Sequence, residues 1–159
     1  MEELTFRTAE ERDCGLILSF IKALAAYEKM LDEVVATGEL LKEWLFEKRS
    51  AEVIFACENG REVGFALFFH NFSTFVGRAG LYLEDLYVLP ESRGKGYGKV
   101  ILKRLAAIAA ERGCGRMEWV CLDWNKPSID FYRSLGARPM DEWTIWRVAG
   151  ETLDTLAKD

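Results

Sequence analysis

Two adjacent carboxylates stand in an apolar run, Leu81-Tyr82-Leu83-Glu84-Asp85-Leu86-Tyr87-Val88, and a glycine-rich stretch, Arg93-Gly94-Lys95-Gly96-Tyr97-Gly98, follows shortly after it. Burying an uncompensated carboxylate is costly, so Glu84 and Asp85 require a cation, water or a partner group. A carboxylate held in this way is suited to general-base work on an amine. The alternative is an ordinary salt bridge. Successive strand residues point to opposite faces, so the two acids serve one site only through a bulge or by reaching it from different sides. Glu84 is therefore the first candidate base, with Asp85 second.

Glycines at alternate positions let the backbone take positive φ and come close to a ligand. Placed between a strand and a helix, the loop offers free N–H groups at a helix start, which make an anion site. The alternative is a plain turn. The spacing excludes two other phosphate loops. A dinucleotide fingerprint needs glycine at the position of Lys99, and a P-loop needs Ser or Thr where Val100 stands.

A third chemical group is Tyr132. A phenol with a pKa of about 10 remains a proton donor at neutral pH. Its alternative is a core role, because Ile129, Tyr132 and Leu135 share helical spacing. Cys14, Cys57, Cys114 and Cys121 form no CxxC pair, and His70 is the sole histidine, so the pattern of a zinc site is missing. No Cys–His pairing is legible, and His70 reads as a strand-end residue, a lesser candidate for lining a substrate cleft.

These groups need elements to hold them. Leu4 to Thr8 alternates like a strand, and Ala9 to Tyr27 carries Ile17, Phe20, Ile21 and Leu24 at helical spacing. Thr37 caps a second predicted helix with Leu40, Leu41, Trp44 and Leu45. Asn59-Gly60 between two apolar runs predicts a hairpin of adjacent antiparallel strands. Leu81 to Val88 forms the next strand, stopped by Pro90, and Lys99 to Arg112 is a helix ending at Gly113. A strand over Met117 to Leu122, a helix from Asn125 to Leu135 and a last strand near Thr144 to Val148 complete the chain. This order predicts one α/β (or α+β) domain over residues 1–159, a mixed sheet covered by helices.

The 159 residues suit one compact domain, which at this size buries roughly 70% of its unfolded surface. Against 26 acidic residues there are 21 Lys and Arg without a basic block, which argues against a nucleic-acid partner and is compatible with a cationic substrate. The N-terminal residues lack a basic start followed by an apolar run, and no stretch approaches ~18 apolar residues. The expectation is a cytoplasmic, reduced protein with no membrane partner.

Arg93-x-x-Gly96-x-Gly98 resembles the pyrophosphate-binding loop of the GNAT N-acetyltransferases. The likeness extends upstream through Leu81 to Val88 and downstream through Asp123-Trp124-Asn125-Lys126-Pro127-Ser128-Ile129-Asp130-Phe131-Tyr132, and runs from about Phe6 to about Val148. Together these segments look like the diamine (spermidine/spermine) acetyltransferase subfamily. Ser73-Thr74, Gly77-Arg78 and Leu122 to Asn125 read closer to its thialysine branch.

The resemblance implies the GNAT fold, a mixed, mostly antiparallel sheet with a splayed central strand. It implies acetyl-CoA as cosubstrate, no metal, and direct attack by a small primary amine through a tetrahedral intermediate. Leu86, Tyr87 and Val88 would then meet the pantetheine arm, with Leu86 N–H as oxyanion donor. Arg93, Gly94, Lys95, Gly96, Tyr97, Gly98 and Lys99 would hold the pyrophosphate. Asn125, Ser128 and Tyr132 would complete the cofactor contacts, with Tyr132 as acid and Glu84 as base. Tyr27 and Glu28 would join Glu84 and Asp85 in binding the amine, whose ammonium suits a carboxylate and an aromatic face. The residues alone leave Tyr27-Glu28 equally readable as a solvated helix end. A homodimer is also implied. A protein N-terminal or lysine acetyltransferase and a non-catalytic CoA-binding sensor are the competing readings.

Overall fold

The computed structural model describes residues 3–158, which form two compact units, one reaching to Val120 and one starting at Cys121. In the first unit, strand β1 (Thr5–Thr8) leads through a 3-10 turn at Glu11–Asp13 into helix α1 (Cys14–Tyr27). The expected helix from Ala9 thus begins later. The carboxylate of Asp13 accepts from the Glu10 N–H and ends the turn, so regular α geometry starts only at Cys14. Helix α2 (Gly38–Leu41) is capped by Thr37, whose hydroxyl accepts from Leu40 N–H at 3.1 Å, and continues into a π turn over Lys42–Glu47.

Strands β2 (Glu52–Glu58), β3 (Arg61–Ser73) and β4 (Arg78–Val88) follow as antiparallel neighbours. Asn59 at φ 52° and Gly60 at φ 76° close the β2–β3 hairpin, the pair of positive φ values that suits a right-twisted ribbon. Helix α3 (Tyr97–Glu111) then returns the chain to β5 (Met117–Glu118), which pairs parallel with β4. The sheet order is β1-β2-β3-β4-β5. It is the mixed, mostly antiparallel, helix-flanked sheet that the sequence implies.

One sheet face packs on α1. Ile17 and Phe20 meet Val53, Phe55, Phe65, Leu67 and Tyr87, and the Phe20 and Phe65 rings stack at 5.1 Å. Burying side chains of this kind contributes roughly 1.5–3 kcal/mol each. From α3, Ile101, Leu102, Leu105 and Ala109 are buried.

Two expected strands are corrected. The expected Met117 to Leu122 strand contains only Met117 and Glu118, so β4 is paired on that side at Leu81 and Tyr82 alone. The expected Thr144 to Val148 strand is irregular chain in the second unit, where Trp143, Ile145 and Trp146 are exposed. Alternation supplies a face but not a neighbour, and a strand needs a partner for its N–H and C=O groups. The second unit instead holds helix α4 (Lys126–Ser134) and an unanticipated helix α5 (Gly150–Ala157).

Candidate active site

The acids of β4 sit on a register shift. Phe68 of β3 faces Leu83, and the next β3 residue, Leu67, faces Asp85, leaving Glu84 as the extra residue of a β-bulge. Directly paired residues share a face. Without the bulge, Asp85 would lie on the face of Leu83. With it, Asp85 shares the face of Leu67 and Tyr87, the one packed on α1.

This placement determines its electrostatics. Asp85 is half-buried, and its carboxyl is pushed up to about 6, first by burial and then by the like charges of Glu84 and Glu28. Glu28, the C-cap of α1, is also raised by burial. Glu84 itself is exposed. The fold thus gathers Glu28, Glu84 and Asp85 into one acidic cluster, with Tyr27 at the end of the same helix.

The free edge of β4 is a second feature of the site. Among the described residues, β4 has no strand neighbour on the β5 side beyond Tyr82, so the stretch from Glu84 to Val88 is laddered on one side only. This is the splay that the resemblance implies, and Leu86, Tyr87 and Val88 lie on it. Tyr87 is buried, whereas Leu86 and Val88 are half-buried.

From Val88 the chain runs through a 3-10 turn at Pro90–Ser92 into the glycine loop. Gly94 at φ 81° and Gly96 at φ 78° take left-handed conformations, and Gly96 is the N-cap of the 15-residue helix α3. No side chain of the described residues caps it, and none of them beyond the adjoining backbone lies within 4 Å of where a Cβ would stand on Gly94, Gly96 or Gly98. The first N–H groups of α3, at Tyr97, Gly98 and Lys99, thus have no side-chain cap among the described residues at the positive end of a 15-residue helix, a fit for an anion such as a diphosphate.

Two neighbouring side chains are already engaged. Lys95 Nζ lies 3.1 Å from Glu58 at the β2–β3 hairpin, and the Tyr97 hydroxyl donates to the same carboxylate. Arg93 makes contacts of its own. Its Nε donates to Val88 O at 3.0 Å, and its guanidinium lies 5.3 Å from the Tyr27 ring and 5.0 Å from the Tyr87 ring. Neither role was legible in the sequence. The only local hint was the position of Glu58 beside the Asn59-Gly60 turn.

Asn125, Ser128 and Tyr132 lie in the second unit. Asn125 is buried and caps α4, its Oδ1 accepting from Ser128 N–H at 3.4 Å. Tyr132 is half-buried on α4, with its ring 5.6 Å from that of Phe131.

His70 needs correction. It lies inside β3 rather than at its end, paired with Leu81 on the face opposite Asp85, so it does not line the acid cluster. Arg112 Nη1 donates to its Nε2 at 2.9 Å, so the ring proton sits on Nδ1, directed at Gly80 O 3.0 Å away. Cys114 Sγ is 3.7 Å from that Nδ1. The fold therefore makes a Cys–His contact across 44 residues that spacing could not reveal.

Comparison with known proteins gives the lineage. The sequence model of the acetyltransferase (GNAT) family matches residues 9–137. A thialysine N-epsilon-acetyltransferase of Sus scrofa is 39% identical over 99% of both chains. The human spermidine/spermine N(1)-acetyltransferase-like protein 1 is 34% identical over 99% of this chain and 24% of its own length. Among solved structures, an integron cassette protein from the mobile metagenome of V. cholerae superposes with a TM-score of 0.80 at 30% identity, covering 98% of each chain.

Proposed function

This chain belongs to the GNAT acetyltransferase family, and from that premise we propose that it moves the acetyl group of acetyl-CoA to the primary amine of a small lysine-like or diamine substrate. Residues 1–159 would act as one cytoplasmic acetyltransferase domain, homodimeric as the subfamily resemblance suggests. The observation that carries the reading is the bulge at Glu84, which sets Asp85 into a half-buried acidic cluster beside the free edge of β4.

A lysine-like amine, with a pKa of about 10.4, is protonated at neutral pH, and it must lose that proton before it is nucleophilic. Glu28 and Glu84 supply negative charge for an incoming ammonium, and Tyr27 supplies an aromatic face. Glu84 and Asp85 handle the proton as a pair. Asp85, with its carboxyl near 6, is largely deprotonated at pH 7 yet basic enough to accept a proton, and the charge on Glu84 helps to keep it so.

When bound, acetyl-CoA supplies an activated acyl thioester. The residues that would hold it are Leu86, Tyr87 and Val88 on the free edge, Arg93 to Lys99 around the open helix start, and Asn125 and Ser128 by motif. Leu86 N–H is the proposed donor to developing oxyanion charge. Tyr132 is the proposed donor of the proton that leaves with the thiol.

A thiol-release assay with acetyl-CoA and lysine, thialysine, putrescine, spermidine or a lysine peptide tests this. Release with one of the small amines is expected, and Tyr132→Phe should lower kcat far more than it weakens CoA binding. Release with the peptide alone would move the acceptor to proteins. Silence with every amine, combined with tight CoA binding, would make the chain a sensor.

A further inference from the structure

We propose that Arg93 is a positioning residue that couples occupancy of the glycine loop to the geometry of the amine end of α1. The proposal rests on the functional reading above, because it assigns donor and acceptor to the two sides that Arg93 joins.

The argument starts from where the side chain goes. Arg93 is the first residue of the loop, and its backbone N–H donates to Pro90 O at 3.2 Å, so its main chain is fixed on the turn before the glycines. Nε is held by the carbonyl of Val88, the last residue of β4, and the guanidinium lies within cation–π range of Tyr87 in the core and Tyr27 at the end of α1. One planar cation thus touches the strand that offers its free edge to the acyl donor and the helix end that carries Tyr27 and Glu28.

The flanking glycines give this geometry a direction of action. Gly94 and Gly96 hold the loop in left-handed conformations, and on the side where a Cβ would stand neither meets a described residue beyond the adjoining chain within 4 Å. That backbone has room to adjust when an anion settles on the α3 N–H groups. Any such adjustment is transmitted through residue 93 to the Tyr27 ring, and motion of Tyr27 is returned to the loop by the same path. Coupling between two ligands is reciprocal, so CoA must tighten the amine by the factor with which the amine tightens CoA. Arginine is the residue that fits. Its flat guanidinium covers aromatic rings while Nε still donates to a carbonyl, which a lysine ammonium does in a different geometry.

The test uses the intact chain and the amine with the highest kcat/KM from the thiol-release panel. Its affinity is measured calorimetrically with and without saturating free CoA, which binds but cannot acylate. In the wild type, CoA should tighten the amine by at least about fivefold, the low end of typical allosteric coupling. Arg93→Met keeps the stem and removes the cation. It should bring that ratio close to one and raise the amine KM more than it lowers kcat, and Arg93→Lys should recover part of the ratio. Tyr27→Leu should lose the same coupling, and combining it with Arg93→Met should cost nothing further. An unchanged ratio in Arg93→Met, or additive losses in the double variant, would overturn the proposal while leaving the enzyme reading intact. A wild type that releases no thiol with any amine would remove both. If Arg93→Met fails to fold, the Arg93→Lys and Tyr27→Leu ratios decide the matter.

Discussion

Two carboxylate clusters in the first unit are built from the same residue types and have opposite electrostatics. Around Arg7, the guanidinium takes Asp13 at 2.8 Å and Glu62 at 2.7 Å, and both carboxyls are held below the usual range by those hydrogen bonds. At the β4 bulge, Asp85 has Glu84 and Glu28 as its charged neighbours, and its carboxyl rises to about 6. The first cluster is a solved structural problem, two acids satisfied by one fork. The second has no ion-pair partner among the described residues, the kind of perturbed cluster that gathers at functional sites. On the proposed function, the difference separates a carboxylate that supports stability from one that gives up stability for proton transfer.

The largest effect should come from Asp85→Asn. In the proposed pairing with Glu84, losing this positioned base costs about a hundredfold or more in kcat/KM, and thiol release against amine concentration measures it. Its stability should move the other way. The folded-state pKa of Asp85 lies above its unfolded value, so the folded protein binds the proton more tightly. Stability therefore falls as pH rises from about 4 to about 6 and stays lowered above that window. Two pKa units correspond to roughly 3 kcal/mol, an upper bound on what Asn recovers at pH 7. Urea melts at pH 7 and pH 4 read it: the variant should be the more stable protein at pH 7, with the gap closing at pH 4. A variant that is both less stable and fully active would erase the contrast between the clusters.

Asp13→Asn is the mirror experiment. Asp13 is buried and its folded-state pKa lies below its unfolded value, so its contribution is present above the unfolded pKa of about 4 and is lost as pH falls. Removing it should cost about 2 kcal/mol at pH 7, the loss of charge-assisted hydrogen bonds to Arg7. The amine KM and kcat should stay near wild type. Denaturant midpoints and turnover on one preparation suffice, and an activity loss that exceeds the stability loss would show the clusters to be linked.

How much of this was readable beforehand follows from what each feature depends on. The Asn59-Gly60 hairpin, the Thr37 cap and the helix after the glycine loop depend on neighbours within a few residues. The first two formed where the spacing indicated, and the helix formed from Tyr97, two residues before the expected Lys99, because Gly96 serves as its N-cap. The register of β4 depends on Leu67 and Phe68, more than a dozen residues upstream, so the bulge that sets Asp85 on the α1 face was open as a possibility and closed only by pairing. The same applies to Arg93. Its place in the glycine loop was legible, but the rings of Tyr27 and Tyr87 come to it from a helix end and a strand end through the tertiary fold. The Thr144 to Val148 strand failed for the converse reason, since its alternation was local and its partner was not.

The finest test separates the members of the acidic cluster. Glu84 is the bulged residue and is exposed, while Asp85 is the one whose carboxyl is raised, first by burial and only second by the charge of Glu84. Glu84→Gln removes that second contribution and leaves burial and Glu28 in place. The rate should still rise with pH as the base loses its proton, and the acid limb of kcat/KM, expected near pH 6 in the wild type, should move down by less than one unit. The amine KM should rise modestly with the loss of one attracting charge. A limb that disappears would make Glu84 the proton acceptor itself. A limb that stays in place would mean that burial and Glu28 set Asp85 without Glu84, because a like charge that raises the carboxyl must lower it again on removal.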